Sequence, residues 1–531
     1  MPEIEHARTR KHPHVVVKNQ WRDVFDGTVS DDWTPTLSVS VIIASYNSAT
    51  LPLTLASLAA QDYPEELLDV VVVDDGSEPP VTIGEYAPKN LQLIRVSAGW
   101  GRSNATDIGI RATSGDIIYW VDADMILFRD NVRRHAAFAH FIPEAATIGH
   151  KGFVEQWDFT PEQVFREVAN GSIADHWDPA TLHRHWSLDI FEATDDLNTS
   201  EGRNYSTHMG ACATVTREVY NRTNGQDTRL HLGEDTEIAY QLWQAGAVFI
   251  PVNDARTWHL GRATVQDHSR AVAHHNDVHF AQRMPIPRYR RSAQNRTWEV
   301  PLIRAVVSVD MHTAQYARQC VDRILSSTET DVQVDLVGPW GALHDGRRKM
   351  LADPMNELYL VREWFRSDNR VRFVEEAPTS VFPSPYRIDV PVTVGFGSDT
   401  LRRIYRHIDG NRLGVVRVVP TSDESPVTIW DSAAVHRARH YIEADGQLLD
   451  AVDEIWGSEW LSAEIAGLVD LRTVDLDSRV VRTDPEIDGL HRRVWELESE
   501  LSRERERAEV DRRSVRTLAR RLRDAHARAR G

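Results

Sequence analysis

The chain has 531 residues, more than one hydrophobic core normally organises, so two or more domains are expected. A formal charge of −18 excludes a general nucleic-acid binder, which needs a surplus of Lys and Arg facing phosphate. Two cysteines, Cys212 and Cys320, are too few for a disulfide framework or a Cys-based zinc site and read as buried free thiols.

Residues 1–36 form a polar lead-in, and positions 1–14 lack the apolar core of a signal peptide. The uncharged stretch 34–61 is long enough for a membrane span, but its Ser and Thr content, Asn47 and Pro52 fit a strand, a loop and a helix better. On that reading the chain is cytoplasmic. A β/α rhythm begins at residue 38. Residues 38–44 read as a buried strand, 51–61 as a helix, 68–73 and 91–96 as further strands, 104–113 as a helix and 117–121 as a fourth strand. Such alternation implies a parallel sheet with ligands gathering at the carboxyl ends of its strands. Between about 155 and 205 the rhythm lapses into a segment rich in Trp, Asp and His, and residues 247–252 then read as another strand.

A second β/α region runs from roughly 302 to 471 and opens with a strand at 302–309, a helix, and a strand at 332–337. That order echoes the first region and reads as a diverged internal repeat. In the tail, Val494, Leu501, Ala508, Val515, Leu522 and Ala529 recur every seventh position. This is an imperfect coiled-coil pattern and a route to homo-oligomerisation, with a solvated helix laced by Glu–Arg pairs as the alternative. From Arg512 onward Arg dominates, which admits a weak peripheral contact with an anionic membrane, although a solvated charged face is the default. The expected organisation is a lead-in at 1–36, a first domain at 37–298, a second at 299–482 and a helical tail at 483–531.

Four features carry chemistry. Asp74 and Asp75 end a strand, where carboxylates accept hydrogen bonds from a base N–H or ribose hydroxyls, and Gly76 permits the tight turn. Asp122 and Asp124, one residue apart after the strand 117–121, face a common site whose hard oxygens suit Mg²⁺ or Mn²⁺. Glu234 and Asp235 open a helix, where acidic residues also serve plain capping and dipole roles; the chemical reading makes Asp235 a general base. His259 offers an imidazole to the site begun by the aspartates, although a lone His is more often structural.

Taken in order, residues 41–47, 73–77, 109–116, 121–124 and 233–237 resemble the motifs of family 2 inverting glycosyltransferases of the GT-A fold. The resemblance covers about residues 38–260. It implies an α/β, Rossmann-like GT-A domain, with a second α/β domain and the coiled coil behind it. It implies that Asp75 or Asp74 contacts the uracil or ribose, with Ser45 and Tyr46 near the base. Asp122 then holds ribose and metal, Asp124 the metal, Asp235 is the catalytic base and Glu234 shapes the acceptor site. Some members place a metal-binding His after the acidic motif, which supports His259. The implied donor is a nucleotide sugar, UDP-linked by family habit, with Mn²⁺ or Mg²⁺ as cofactor. The implied acceptor is a hydroxyl of a glycan, a lipid-linked glycan or a small molecule, and the implied reaction is a single displacement.

Many relatives carry Ala-Arg-Asn where this chain has Ala105, Thr106 and Asp107, and Arg102, a turn earlier, is the candidate replacement cation facing the nucleotide. Trp157, Trp177 and Trp186 offer faces to a sugar ring, with packing as the commoner fate of such side chains. The second region lacks the parts: residues 337–340 read Val-Gly-Pro-Trp where an active copy shows Asp-Asp-Gly, and residues 417–420 lead to 421–425 rather than to an Asp-x-Asp. It reads as a degenerate transferase-like domain. Two other readings compete. A nucleotidyltransferase needs a Gly-rich phosphate loop with Arg or Lys after the first strand, and residues 44–49 have neither. An inactive transferase-fold scaffold working through its coiled coil is the third, and the retained acidic set weighs against it.

Overall fold

A computed structural model describes residues 15–477 apart from 31–32, 179–181, 183, 201, 231–232, 263, 292–295 and 421–423. The tail expected at 483–531 lies outside the described residues.

The first half is built on eight strands: β1 Val39–Ser45, β2 Leu68–Asp74, β3 Leu91–Arg95, β4 Ile117–Val121, β5 Met125–Leu127, β6 Ala145–Val154, β7 Cys212–Thr216 and β8 Val248–Leu260. They form one sheet in the order β3-β2-β1-β4-β7-β6-β8-β5. The strands β1 to β4 run parallel, and β1, β2 and β4 are the apolar, β-branched-rich runs that strands covered on both faces require, whereas the edge strand β3 is largely exposed. The sheet as a whole is mixed, because strands beyond these four enter it in the opposite direction. β7 runs antiparallel to both β4 and β6. It is reached from β6 through the long segment 155–211, not through a single crossover helix, so nothing forces it into the common direction. That irregular segment itself contains the helices Pro161–Asn170 and Ser187–Ala193. The first of these is fixed by its ends: Thr160 and Gln163 form a reciprocal capping box, and Pro161 opens the first turn.

The two segments read as a strand at 247–252 and a separate motif at 257–260 are one strand of 13 residues. Its far end pairs with β5, so that Met125 lies opposite His259. This pairing carries His259 to the end of β4.

The second half repeats the plan. Its strands are β9 Ile303–Ser308, β10 Val332–Val337, β11 Val371–Val374, β12 Tyr386–Pro391, β13 Val394–Phe396, β14 Val415–Val419, β15 Val427–Asp431, β16 Ser458–Ser462 and β17 Leu468–Asp470. Seven of them form a sheet ordered β11-β10-β9-β12-β15-β14-β16, with β13 and β17 paired beside it. Each neighbour relation, parallel or antiparallel, matches its counterpart in the first sheet. The topology also relocates the position equivalent to Asp122–Asp124. It falls between β12 and β13, at Val392 and Thr393, and not at 421–425. No carboxylate stands there.

The halves share a core. One apolar cluster joins Ile238, Leu242 and Trp243 of the first half to Ala434, Val452 and Trp456 of the second. At its edge Arg437, 1% exposed, donates from Nε to Gly246 O (2.8 Å), from Nη2 to Ala247 O (2.8 Å) and from Nη1 to Val16 O (3.2 Å) and Lys18 O. Both cysteines are buried and free. Among the described residues no helix is long and apolar enough to cross a membrane.

Candidate active site

The site lies where β1, β2, β4 and β8 end. After β1 the chain turns at Asn47, and Ser48 Oγ and Thr50 Oγ1 both donate to Ala123 O, at 3.1 and 2.9 Å. These bonds hold the 122–124 turn against the first strand–helix loop. Ser45 is 2% exposed with its hydroxyl unpartnered among the described residues, and Tyr46 is exposed.

The paired aspartates after β2 divide their tasks. Asp74 is buried and accepts from Ser77 N (2.7 Å) and Val81 N (3.3 Å) and from Arg95 Nη1 (3.0 Å). Burial pushes its carboxyl up, but the bonds from Ser77 and Val81 and the Arg95 charge outweigh this and hold it below the usual range. Asp74 is thus fully engaged in closing the turn around Gly76, whose φ of +91° suits a residue without a side chain. Asp75 is half-buried and accepts from Gly101 N at 2.7 Å through Oδ2, leaving Oδ1 without a hydrogen-bond partner among the described residues. Of the two carboxylates left open by sequence, Asp75 is the one with a free oxygen.

Asp122, Asp124 and His259 place one ligand atom each within 4.8 Å of one another. His259 Nε2 stands 3.7 Å from Asp124 Oδ1. Its other nitrogen faces Gly261 O at 3.2 Å, so Nδ1 carries the proton and the Nε2 lone pair points to the aspartates. Asp124 Oδ1 is buried with no hydrogen-bond partner among the described residues, and burial raises this carboxyl to about 6 against the pull of His259. Two carboxylates and an imidazole suit Mn²⁺ or Mg²⁺, whose ligand atoms stand about 3 to 4 Å apart. The donor set fits the ion.

The helix Glu234–Gln244 brings the second acidic motif to the same place. It starts at Gly233, whose φ is +84°, where a β-carbon would also run into the Asn276 amide. Arg102 ties the motifs together. Its Nε and Nη2 reach Asp122 Oδ1 at 3.0 and 2.7 Å, Nη1 reaches Glu234 Oε1, and Nη2 also donates to Gly210 O at 2.9 Å. Burial lowers its affinity for a proton, but the charges of Asp122, Glu234 and Asp235 dominate and secure the guanidinium. Arg102 therefore stands inside the acidic cluster, engaged with carboxylates. Asp235 is half-buried, with Oδ1 accepting from Thr236 N at 2.7 Å.

The tryptophans separate. Trp177 packs on Trp258 and Phe159 with centroids 5.4 and 5.7 Å away, whereas Trp157 and Trp186 are exposed. Lys151 on β6 was not legible as a site residue. Its only signal is a lone cation within the otherwise uncharged run 145–154.

Residues 40–220 match the model of the family described as Glycosyl transferase family 2. The N-terminal half is a family 2 glycosyltransferase domain. The match ends before the Glu234–Asp235 helix. Among relatives of this glycosyltransferase, the hyaluronan synthase of Pasteurella multocida is 24% identical over 346 residues, covering 61% of this chain and 34% of the relative. The chondroitin synthase of Escherichia coli is 22% identical over 362 residues, 64% of this chain and 50% of the relative. An N-acetylglucosaminyltransferase of Mesorhizobium japonicum is 40% identical over 109 residues, 19% of this chain and 26% of the relative. The glycosyltransferase chain thus spans about a third to a half of the length of the synthases it matches.

Proposed function

We propose that the first domain transfers a sugar from a nucleotide diphosphate, UDP in the first instance, to an acceptor hydroxyl by one inverting displacement. The observation that carries this reading is the convergence of Asp122, Asp124 and His259 beside the Glu234–Asp235 helix, with Arg102 joining the two acidic motifs. Asp122, Asp124 and His259 would hold a divalent cation, which would supply charge to neutralise a leaving diphosphate. Asp75 Oδ1 accepts from the base or ribose, next to Ser45 and Tyr46. Asp235 takes the acceptor proton while the acceptor oxygen forms a bond to the anomeric carbon and the bond from that carbon to the diphosphate breaks. Glu234, neutralised by Arg102, shapes the acceptor side. Trp157 and Trp186 offer exposed faces to the acceptor glycan.

The second domain serves packing, since its topological equivalents of Asp122–Asp124 are Val392 and Thr393. The names of the synthase relatives favour a glycan acceptor. The test is release of nucleoside diphosphate from a panel of nucleotide sugars with oligosaccharide acceptors, with and without Mn²⁺. Cation-dependent release that needs the acceptor is expected. Absence of release with every donor leaves the inactive scaffold as the better reading.

A further inference from the structure

Near the acidic cluster lies a cation for which the reaction as described has no use. Along β6, Thr147 bonds to His135 (2.6 Å), Gly149 abuts Cys212, and the Phe153 ring lies tilted against that of His259 with centroids 4.7 Å apart. Lys151 sits between Gly149 and Phe153 in this strand, and its electrostatic neighbours are Cys212, Asp122, Asp235 and Arg102. It is 8% exposed, and Nζ has no hydrogen-bond partner among the described residues.

The contrast with Arg102 and Arg437 is informative. Arg102 is buried against two carboxylates and a carbonyl, and Arg437 against four carbonyls. Each has the partners that a buried cation requires. An ammonium withdrawn from water without hydrogen bonds is strongly unfavourable, and a lysine kept only for packing normally finds a backbone carbonyl. Lys151 instead lies in β6 between Gly149, which abuts Cys212, and Phe153, which contacts His259, with Asp122 and Asp235 among its electrostatic neighbours. What is missing is an acceptor, and the cleft is where a ligand delivers one.

We propose that Lys151 is a donor-binding residue whose ammonium takes an anionic oxygen of the bound nucleotide sugar. The inference rests on the transferase reading above and adds to it a contact that no sequence motif marks. Two anionic groups meet the requirement: a diphosphate oxygen, or a carboxylate on the transferred sugar. Both are acceptors for the same ammonium, and both are strengthened by the exclusion of water.

The experiment is calorimetric titration of the full chain with UDP, UDP-N-acetylglucosamine and UDP-glucuronate in the presence of Mn²⁺, using wild type, Lys151→Met and Lys151→Gln. Melting temperatures of the unliganded proteins are measured in parallel. Both variants are expected to melt at or above the wild-type temperature, because an unpartnered buried cation is removed. They are also expected to bind more weakly by about 10- to 100-fold. An equal loss for all three ligands assigns Lys151 to the diphosphate, and a loss confined to UDP-glucuronate assigns it to a sugar carboxylate. Unchanged affinities for all three ligands in a folded variant overturn the proposal. Failure of both variants to fold overturns it as well, since it makes the lysine a structural residue. A wild type that binds no nucleotide overturns the transferase reading itself, a result distinct from either.

Discussion

On the proposed reading Asp124 and Asp235 act on different bonds, and their substitutions separate accordingly. Asp124→Ala would remove one of the three proposed cation ligands, so transfer should fall at least about 100-fold with a matching loss of Mn²⁺ affinity. Asp235→Asn keeps the shape and would remove the proposed base; kcat should fall by about 10²- to 10⁴-fold while nucleotide affinity, read by titration, stays at the wild-type level. Arg102→Met leaves Glu234 buried without its cation. The unfolding free energy should drop by about 3 kcal/mol, measured by chemical denaturation. An unchanged stability would show that Glu234 does not depend on Arg102.

Histidines outside the chemistry set the acid limit. His135 and His208 are buried, and burial lowers them to about 3 and about 4 from an ordinary 6.5. The folded form refuses a proton that the unfolded chain accepts, so this contribution is complete above pH 6.5 and is lost as pH falls toward 4 and 3. Each group changes stability by about 1.4 kcal/mol per pH unit inside its window. The melting temperature should therefore fall steadily below pH 6.5, and His135→Gln should flatten that slope. A melting temperature flat from pH 7 to 4.5 would contradict the assignment.

At the scale of elements, the helix that begins with Glu234 is held at its other end by the second domain. Tyr240 Oη donates to Pro383 O at 2.9 Å, His436 Nδ1 donates to Gln244 O at 2.7 Å, and Arg437 covers Gly246 and Ala247. Arg437→Met strands several carbonyls away from water, and about 3 kcal/mol or more of stability should be lost. Because the same helix presents Asp235, kcat should also fall while nucleotide affinity changes little. A melting curve identical to wild type would show that the carbonyls find other partners.

The elements legible in sequence were those whose burial writes itself into composition: β1, β2 and β4 are runs rich in Val, Ile and aromatic residues, and their bounds fall within a residue or two of the expected ones. β5 was missed because it is 3 residues long, and the helices of the 155–205 segment because they are only 10 and 7 residues long within a stretch otherwise rich in Trp, Asp and His. β8 was read in two pieces because Asn253 and Asp254 interrupt its apolar run, whereas its backbone continues through them.

For the whole molecule, the decisive fact is that two sheets whose first seven strands follow the same order share apolar packing. Halves joined in this way should unfold together. Calorimetry of the full chain should show a single transition, and two resolved transitions would mean that the shared cluster contributes little.

The sequence by itself determined which chemistry the first half carries. Strand runs ending in Asp75, Asp122 and Asp124, and a helix opening with Asp235, are local patterns that survive without knowledge of the neighbours. Only the tertiary structure decided which carboxylate of the 74–75 pair remains free, that His259 meets the aspartates, that Arg102 is engaged with acids, and that Lys151 lies near them. Those outcomes depend on register and on hydrogen bonds between segments far apart in the chain, here over 100 residues apart between Arg102 and Glu234. Local sequence encodes the strength of an element, whereas the partner of a buried charge is set by what the folded chain brings against it.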